Sequence, residues 1–439
     1  MTEDPRIWCA AILAMLVVVL TASTGCTGLD YVPNHDIVVL KLTPDGSLEW
    51  TRVIDHGFDD TAADLVELPG GGFAIAAQTS DQRLAAPRPL LVRLSPDGAV
   101  LWDRSVTDGF GVARAVVSVD DGGTAVLTGN GTVIRSGPDG RTLWARATGI
   151  PEPYALVSTA DGGYLAGGRI MYQVPVNGTA EVIRLPVITT ETPPSGGGPV
   201  LARMVEQVTT PMLAQVPRRF NLVGKAMVVQ LAPDGAIDWE RQYDDGGLNW
   251  LQSLAEGPAG TGLLVSGYGD TLNGSRNIVH PLLALHLSPD GTPASVTQID
   301  TASVGDPIRI RSDAAGYRML YQNTTEHPTA EGFYSTNVVD AVLDRDGRVL
   351  ERRPIEASIA ITWTADGGYF SVGIPPVGNR SRYDTVTYDQ AGGTFHARRL
   401  DSAGALAWDR VLAAPLGRVV KVVQTADGGY AVLGLRQNR

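Results

Sequence analysis

Short apolar runs alternate with turn sequences from about residue 37 to the end of the chain. The first run, Ile37–Leu42, is rich in β-branched residues and leads into the turn Pro44–Gly46. Ser47–Val53 follows and alternates between polar and apolar positions, as a half-buried strand does. Proline fixes φ at the second position of such a turn, and glycine accepts the positive φ that closes it. These residues therefore predict a β-hairpin.

A second hairpin follows the first at once. Ala63–Leu68 and Phe73–Thr79 are apolar runs on either side of a turn rich in glycine, Pro69–Gly72. One copy of the pattern thus contains two hairpins, or four strands.

The pattern repeats over the whole chain. A turn of the first kind occurs seven times, and its glycines are Gly46, Gly98, Gly140, Gly235, Gly291, Gly347 and Gly404. Repeats of about 42 to 57 residues with four strands each are typical of a β-propeller. The sequence therefore predicts an all-β fold, a seven-bladed β-propeller of four-stranded antiparallel blades.

The two ends of the chain are in complementary phases of the repeat. The chain begins with a hairpin of the first kind and ends, at Val420–Leu435, with one of the second kind. We expect these N- and C-terminal hairpins to pair in one blade and close the ring, because an open sheet edge invites aggregation.

One interval between turn glycines is much longer than the others. Gly140 and Gly235 are 95 residues apart, and the segment between them contains the loop sequence Thr192–Pro199. We interpret residues at about 175–221 as an insertion on one face of the ring. A degenerate eighth blade that uses Tyr172–Val187 is the alternative.

The first residues have the pattern of an export signal. Ile7–Ala22 is an uncharged apolar run of sixteen residues, shorter than the twenty or so that span a bilayer. Ser23–Cys26 follows and resembles the lipobox of prokaryotic lipoprotein signals, in which the cysteine becomes lipidated. The resemblance predicts a signal peptide at 1–25, lipidation at Cys26, a linker at 26–35 and a propeller at 36–439. An uncleaved anchor and an ordinary cleaved signal are the alternatives.

Composition narrows the possible partners and the redox chemistry. The net charge of −12 and the pI of about 5.0 argue against binding to nucleic acid, which needs a basic surface. Both cysteines, Cys9 and Cys26, lie in the leader, so the mature domain is predicted to have no disulfide.

A tryptophan stands four residues after the turn glycine in five of the seven copies, and Ser295 and Glu351 take its place in the other two. This pattern resembles the tryptophan-docking repeat of PQQ-like, quinoprotein-type propellers. The resemblance implies that each indole packs between neighbouring blades, and packing is the interpretation we favour over a carbohydrate platform. The docking residues would be Trp50, Trp102, Trp144, Trp239 and Trp408.

Motifs for catalysis, cofactors or metals do not emerge from the sequence. The six histidines have no metal-ligand spacing, and the vicinal cysteines of quinoprotein dehydrogenases have no counterpart in the mature part. Asp59, Asp60, Asp64 and the pair Asp120–Asp121 lack the spacing of a calcium loop, so turn aspartates explain them better. Five sequons mark possible glycosylation at Asn130, Asn177, Asn273, Asn323 and Asn379.

These observations favour a protein that binds over one that catalyses. We expect a monomeric, membrane-anchored extracytoplasmic propeller without cofactor or metal, whose partners are envelope proteins or surface polymers. The insertion at about 175–221 would form part of its recognition surface. The alternative is a dehydrogenase, lyase or hydrolase with its active site at the central channel, for which Arg114 and Arg309 are scattered candidates.

Overall fold

The computed structural model describes residues 34–80, 87–106, 111–175, 181–182, 220–243, 248–257, 263–269, 271–272, 278–279, 282–300, 309–326, 334–358, 360–374 and 394–438. In these residues the regular elements are all strands. They are β1 (His35–Leu42), β2 (Leu48–Ile54), β3 (Asp59–Glu67), β4 (Phe73–Ser80), β5 (Arg88–Leu94), β6 (Val100–Ser105), β7 (Ala113–Ser118), β8 (Thr124–Thr128), β9 (Thr132–Ser136), β10 (Thr142–Ala147), β11 (Glu152–Ser158), β12 (Tyr164–Pro175), β13 (Glu181–Val182), β14 (Phe220–Leu231), β15 (Ile237–Tyr243) and β16 (Leu248–Glu256). The later strands are β17 (Leu263–Gly269), β18 (Thr271–Leu272), β19 (Ile278–Val279), β20 (Leu282–Leu287), β21 (Pro293–Asp300), β22 (Arg309–Asp313), β23 (Gly316–Glu326), β24 (Tyr334–Asp344), β25 (Val349–Ile355), β26 (Ala360–Trp363), β27 (Tyr369–Gly373), β28 (His396–Leu400), β29 (Leu406–Val411), β30 (Arg418–Gln424) and β31 (Tyr430–Gln437).

The strands form the antiparallel four-stranded sheets of a β-propeller. We name the sheets in chain order: sheet A (β3–β6), sheet B (β7–β10), sheet C (β11, β12, β14, β15), sheet D (β16, β17, β20, β21), sheet E (β22–β25), sheet F (β26–β29) and the terminal sheet (β30, β31, β1, β2). In each sheet the four strands lie side by side in that order.

The described sheets differ from the sequence prediction in two respects. Six of them have four strands, whereas sheet C has a fifth, because β13 pairs with β12 at Tyr172 and Gln173. The strands β18 and β19 form a separate two-stranded sheet. The prediction of seven four-stranded blades was therefore wrong: six sheets have four strands, and β13, from the segment predicted as an insertion, adds a fifth strand to sheet C.

The terminal sheet combines strands from both ends of the chain. β1 pairs with β31 over its whole length, from His35 opposite Gln437 to Leu42 opposite Tyr430. The first and last predicted hairpins thus lie in one sheet.

The strands within a sheet differ in how much of their surface is exposed. The fourth strands β6 and β10 are largely exposed, whereas β8 and β9, the second and third strands of sheet B, are buried. The first strands contact one another from sheet to sheet, β3 with β7, β7 with β11, β11 with β16, β16 with β22, β26 with β30 and β30 with β3. The first strand is therefore the inner one.

The core lies between the faces of neighbouring sheets. Ile37 and Val39 of β1 pack with Ile75 of β4 and Val92 of β5, and all four are fully buried. Each sheet thus depends on its neighbours to bury its apolar faces. Within the described part of the chain, no helix has the length and apolarity to span a bilayer.

Candidate functional site

The five predicted docking tryptophans all lie on fourth strands and contact the turn of the next sheet. At Gly98, whose φ is +79°, a Cβ atom would approach Trp50 Cε3 to 2.7 Å. Glycine is required there for both its conformation and the space it leaves. The five contacts are Trp50 with Gly98, Trp102 with Gly140, Trp144 with Gly235, Trp239 with Gly291 and Trp408 with Gly46.

Hydrogen bonds and ring contacts accompany this packing. Trp50 Nε1 donates to the carbonyl oxygen of Pro96 at 3.0 Å, and Trp144 Nε1 donates in the same way to Pro233 at 3.1 Å. The Trp144 ring also meets Tyr164 edge-on, with 5.7 Å between the ring centroids. Each of these indoles combines a large apolar contact with a polar one across a boundary between sheets.

An arginine two residues beyond the tryptophan is a second part of this contact, which the sequence analysis missed. Arg52 Nε donates to the Gly98 carbonyl at 2.5 Å and Arg146 Nε to the Gly235 carbonyl at 2.7 Å. The guanidinium groups of Arg104 and Arg410 lie over the rings of their own tryptophans. The sequence contains this feature as the motif Trp-x-Arg, which occurs in all five copies that have the tryptophan.

The two copies without tryptophan border sheet E on both sides. Ser295 of sheet D donates from Oγ to the Asp346 carbonyl of sheet E at 3.0 Å. Glu351 of sheet E accepts from Arg353 Nη2 at 2.8 Å, and Arg353 Nη1 donates to the Ser402 carbonyl of sheet F. Smaller or charged groups therefore replace the indole at both boundaries of sheet E.

A buried polar cluster lies at the boundary between sheets E and F. Asp340, which is 3% exposed, accepts from Arg318, from the Tyr369 hydroxyl at 2.6 Å and from Trp363 Nε1 at 3.3 Å. Burial, together with the bond to Asp340, raises the pKa of Tyr369, so its hydroxyl keeps the proton that it donates. The cluster holds one carboxylate among three donors.

Charged groups on the inner strands join sheets to one another. Asp64 of β3 accepts from the Val116 amide of β7 at 2.9 Å and from the Lys421 ammonium of β30. Arg309 of β22 donates from Nη1 to the Val422 carbonyl of β30 at 3.0 Å. Burial lowers the pKa of Arg309, which the nearby Asp64 partly offsets.

The candidate Arg114 has a different position from Arg309. It lies on β7 where the register shifts between Ala113 and Ala115, and its side chain is exposed. Among the described hydrogen bonds, none joins Arg114 to Arg309 or to a partner that the two residues share.

Histidine–aspartate pairs tie the terminal sheet to sheet A. His35 Nδ1 lies 2.7 Å from Asp59 Oδ1, and the ring nitrogens of His56 lie 3.2 Å from Asp60 and 3.1 Å from Asp103. The pKa of His56 is raised to about 9, mainly by the hydrogen bond to Asp60. Burial of the ring lowers this pKa, and the hydrogen bond to Asp103 raises it further.

Four of the five aspartates considered as calcium ligands have protein partners in the structure. Asp59 and Asp60 face histidines, Asp64 faces Lys421, and Asp121 pairs with Arg135 at 2.6 Å. In the described ranges, no three or more histidine, cysteine or acidic side chains are grouped to hold a metal ion.

Four of the remaining predicted sites lie outside the described residues: Cys26, Asn177, Asn273 and Asn379. Asn130 is exposed in the turn between β8 and β9, where its Oδ1 accepts from Thr128 Oγ1 at 2.6 Å. Asn323 on β23 donates from Nδ2 to Asp300 at 2.8 Å. Glycosylation at these positions stays a prediction.

Comparisons with known proteins leave the function to be argued from these contacts. No protein-family model matches the chain, and no curated protein matches it. Among solved structures it is similar to the crystal structure of BamB from Moraxella catarrhalis, with 14% sequence identity and a TM-score of 0.38. The match covers 90% of this chain and 91% of that chain.

Proposed function

We propose that this chain is an exported, membrane-anchored propeller of the PQQ-like type that acts by binding at the cell envelope. In this proposal sheets A to F and the terminal sheet are arranged in one ring, which the pairing of β1 with β31 closes. The inner strand β30 of the terminal sheet contacts both β26 and β3, as a blade between sheets F and A would. Lipidation of Cys26 supplies the anchor, and residues 26–35 are the linker.

The observation that carries the binding role is the projecting hairpin of β12 and β14. Pairing with β15 ends at Ala226, but β12 and β14 continue to pair for six residues beyond it, to Pro175 opposite Phe220. Such a ladder extends past its own sheet, and the edge of β14 opposite β12 is available to pair with another molecule. It carries the insertion, which we propose as the recognition element.

The same topology gives the ring an orientation. In sheet C the insertion leaves between the second and third strands, and in the terminal sheet the chain ends occupy that same position, between β31 and β1. Asn438 N donates to the Asn34 carbonyl at 2.8 Å there. A lipidated leader attached before Asn34 would thus bring the insertion to the membrane-facing side of the ring, near envelope proteins or surface polymers.

The contacts of the inner strands support binding over catalysis at the central channel. Asp64, Lys421 and Arg309 each bond to a neighbouring or opposite sheet. These charges stabilise the assembly of the ring, so the scaffold explains them without a substrate.

Two experiments test the two parts of the proposal. Membrane fractionation and mass spectrometry of the full chain, compared with Cys26→Ala, should show a diacylglyceryl-modified cysteine and membrane retention only in the former. A Cys26→Ala chain that stays in the membrane would overturn the lipid anchor.

The recognition element is tested by removing residues 176–219. Because Pro175 and Phe220 are paired, an Asn-Gly turn can rejoin them without disturbing the ladder. In-cell crosslinking followed by mass spectrometry should lose the crosslinked partners in this variant and keep them in the intact chain. Partners that persist would show that the insertion is not the recognition element.

A further inference from the structure

Five of the first strands have a β-bulge at the same position of the repeat, four residues before the strand ends. In β22, which pairs without a register shift, the same position is Arg309. A bulge re-aims the side chain of its extra residue. Because the first strands line the centre of the proposed ring, these positions form one layer of its channel. The bulged residues are Ala63, Arg114, Tyr154, Gln252 and Val420.

The side chains of this channel layer are accessible, unlike those one step further along the same strands. Ala63 and Arg114 are exposed, and Arg309 is half-buried. By contrast, Leu65 and Val422, two residues beyond the bulge in β3 and β30, are fully buried between sheets. The bulge position therefore faces the channel.

Positive charge exceeds negative charge around this layer. Among its described residues, Arg114 and Arg309 are the charged ones. The residues that follow the bulges add Asp64 and Lys421, which pair with each other. The charges of the two arginines are thus left over, although the whole chain has a net charge of −12. Low-dielectric walls focus such a local field, so the channel attracts anions.

Arg309 keeps N–H groups for a ligand. Its Nη1 donates to the Val422 carbonyl at 3.0 Å, which uses only one of its donors. This bond runs from sheet E to the terminal sheet and passes sheet F, so the side chain lies across the channel. Burial lowers the pKa of Arg309 although Asp64 is near, because Lys421 and the Val116 amide already occupy that carboxylate. An anion would balance this poorly solvated charge.

Arg114 also lacks a carboxylate that would neutralise it. Among the described contacts it has no hydrogen bond or ion pair, and its side chain is exposed. Burial raises the pKa of its neighbour Tyr154, and the charges of Arg169 and Arg114 oppose that shift, so both lie near the phenol. Glu152 is bound to Arg169 Nε at 2.9 Å and to the Tyr154 hydroxyl at 3.2 Å. The acidic group on this side of the channel is therefore already paired.

We propose that the channel layer containing Arg114 and Arg309 binds a small oxyanion, a phosphate or a carboxylate group. The two arginines enter the layer from sheets B and E, on opposite sides of the proposed ring. Guanidinium groups recognise both kinds of anion through paired N–H···O bonds. The inference rests on the proposed ring, which creates the channel, and adds a ligand site separate from the insertion.

The test is isothermal titration calorimetry of the full chain in detergent micelles at constant ionic strength, with inorganic phosphate and, separately, acetate. Saturable binding of either anion is the expected result, and the tighter one identifies the group that the layer prefers. Arg114→Gln should weaken this binding at least ~10-fold. The matched control Arg141→Gln removes an arginine of sheet B that is 81% exposed, and should leave the affinity unchanged. No saturable binding of either anion, or equal losses in the two variants, would overturn the inference.

A second pair of variants leaves both arginines in place. Ala63→Asp adds a carboxylate to the same layer and should weaken anion binding at least ~10-fold, because it competes for the guanidinium groups. Ala63→Asn has nearly the same shape without the charge and should bind within ~2-fold of the wild type. Because Ala63 is exposed, both variants should fold, which circular dichroism checks. Equal affinities for the pair would place the anion outside the channel and overturn the inference, while the anchoring and crosslinking results would stand.

Discussion

The terminal sheet and sheet E are opposites in how they contact their neighbours. The terminal sheet combines two hairpins from opposite ends of the chain, and it has a docked tryptophan at both boundaries, Trp408 over Gly46 and Trp50 over Gly98. Sheet E is formed by one stretch of the chain, and at its two boundaries Ser295 and Glu351 stand at the repeat position that has tryptophan elsewhere. The sheet that joins the two ends of the chain thus has an indole docked at each of its boundaries.

Polar contacts follow the same division. In the terminal sheet the fully buried Asp36 accepts from Arg436 Nε at 2.6 Å and from Asn438 Nδ2 at 3.0 Å, which ties the first strand to the last. In sheet E the buried carboxylate is Asp340, whose partners Trp363 and Tyr369 reach across from sheet F. The buried carboxylate of the terminal sheet thus joins the two ends of the chain, whereas that of sheet E joins two successive sheets.

The largest expected effect comes from removing the docked indole of the terminal sheet. Trp50→Ala should lower the free energy of unfolding by about 3 kcal/mol, because it removes a large apolar contact and the hydrogen bond to Pro96. Glu351→Ala, at the same position of sheet E, should change it by less than about 0.5 kcal/mol. Urea unfolding followed by circular dichroism measures both. Equal losses would show that the two boundaries are equally strong.

The repeated strands and docking positions could be predicted from the sequence, whereas the polar contacts peculiar to sheet E could not. Turn glycines and tryptophans recur at fixed spacing, so the strands and the docking positions could be located from a single chain. The partners of Asp340 could not, because Arg318, Trp363 and Tyr369 come from three strands of two sheets. No local pattern records contacts that only the packing of sheets brings about. For the same reason the His56 pair with Asp103, 47 residues away, was not foreseen.

A second test concerns the pairing of the chain ends. Asp36→Ala removes the acceptor of Arg436 and Asn438 and should lower the free energy of unfolding by about 2 kcal/mol. The control Asp346→Ala changes an aspartate of sheet E that is 63% exposed and should cost less than about 0.5 kcal/mol. Thermal unfolding by calorimetry reports both. A loss for Asp36→Ala no larger than that of the control would mean that this bond does not secure the terminal sheet.

The third test uses pH at the boundary between the terminal sheet and sheet A. His56 has a pKa of about 9 in the folded state and about 6.5 when unfolded, because Asp60 and Asp103 favour its charged form. Its contribution is complete below pH 6.5 and is lost as the pH rises to 9, since only the folded state then holds the proton. We expect a loss of about 1.5 kcal/mol over this window, reduced because Asp103 is partly exposed.

The matching measurement compares wild type and His56→Gln by urea unfolding at pH 6, 7.5 and 9. The difference between the two proteins should shrink as the pH rises. A constant difference would show that the histidine acts through packing alone, and the charged pairs would then not distinguish this boundary from those of sheet E.

The smallest expected effect reverses the comparison by giving sheet E a docked residue. Glu351→Trp places an indole beside Ser402 and Gly404, where a Cβ at Gly404 would now meet Ile355 Cδ1 at 3.3 Å. Because the glutamate is half exposed and the indole would bury apolar area, we expect a gain of about 1 kcal/mol, limited by the work of moving Arg353 from the Ser402 carbonyl. The gain should be absent in Leu350→Trp, and urea unfolding measures it. If Glu351→Trp instead destabilises the protein, then Val342 and Arg353 already form a packed boundary, and sheet E lacks a tryptophan there for a structural reason.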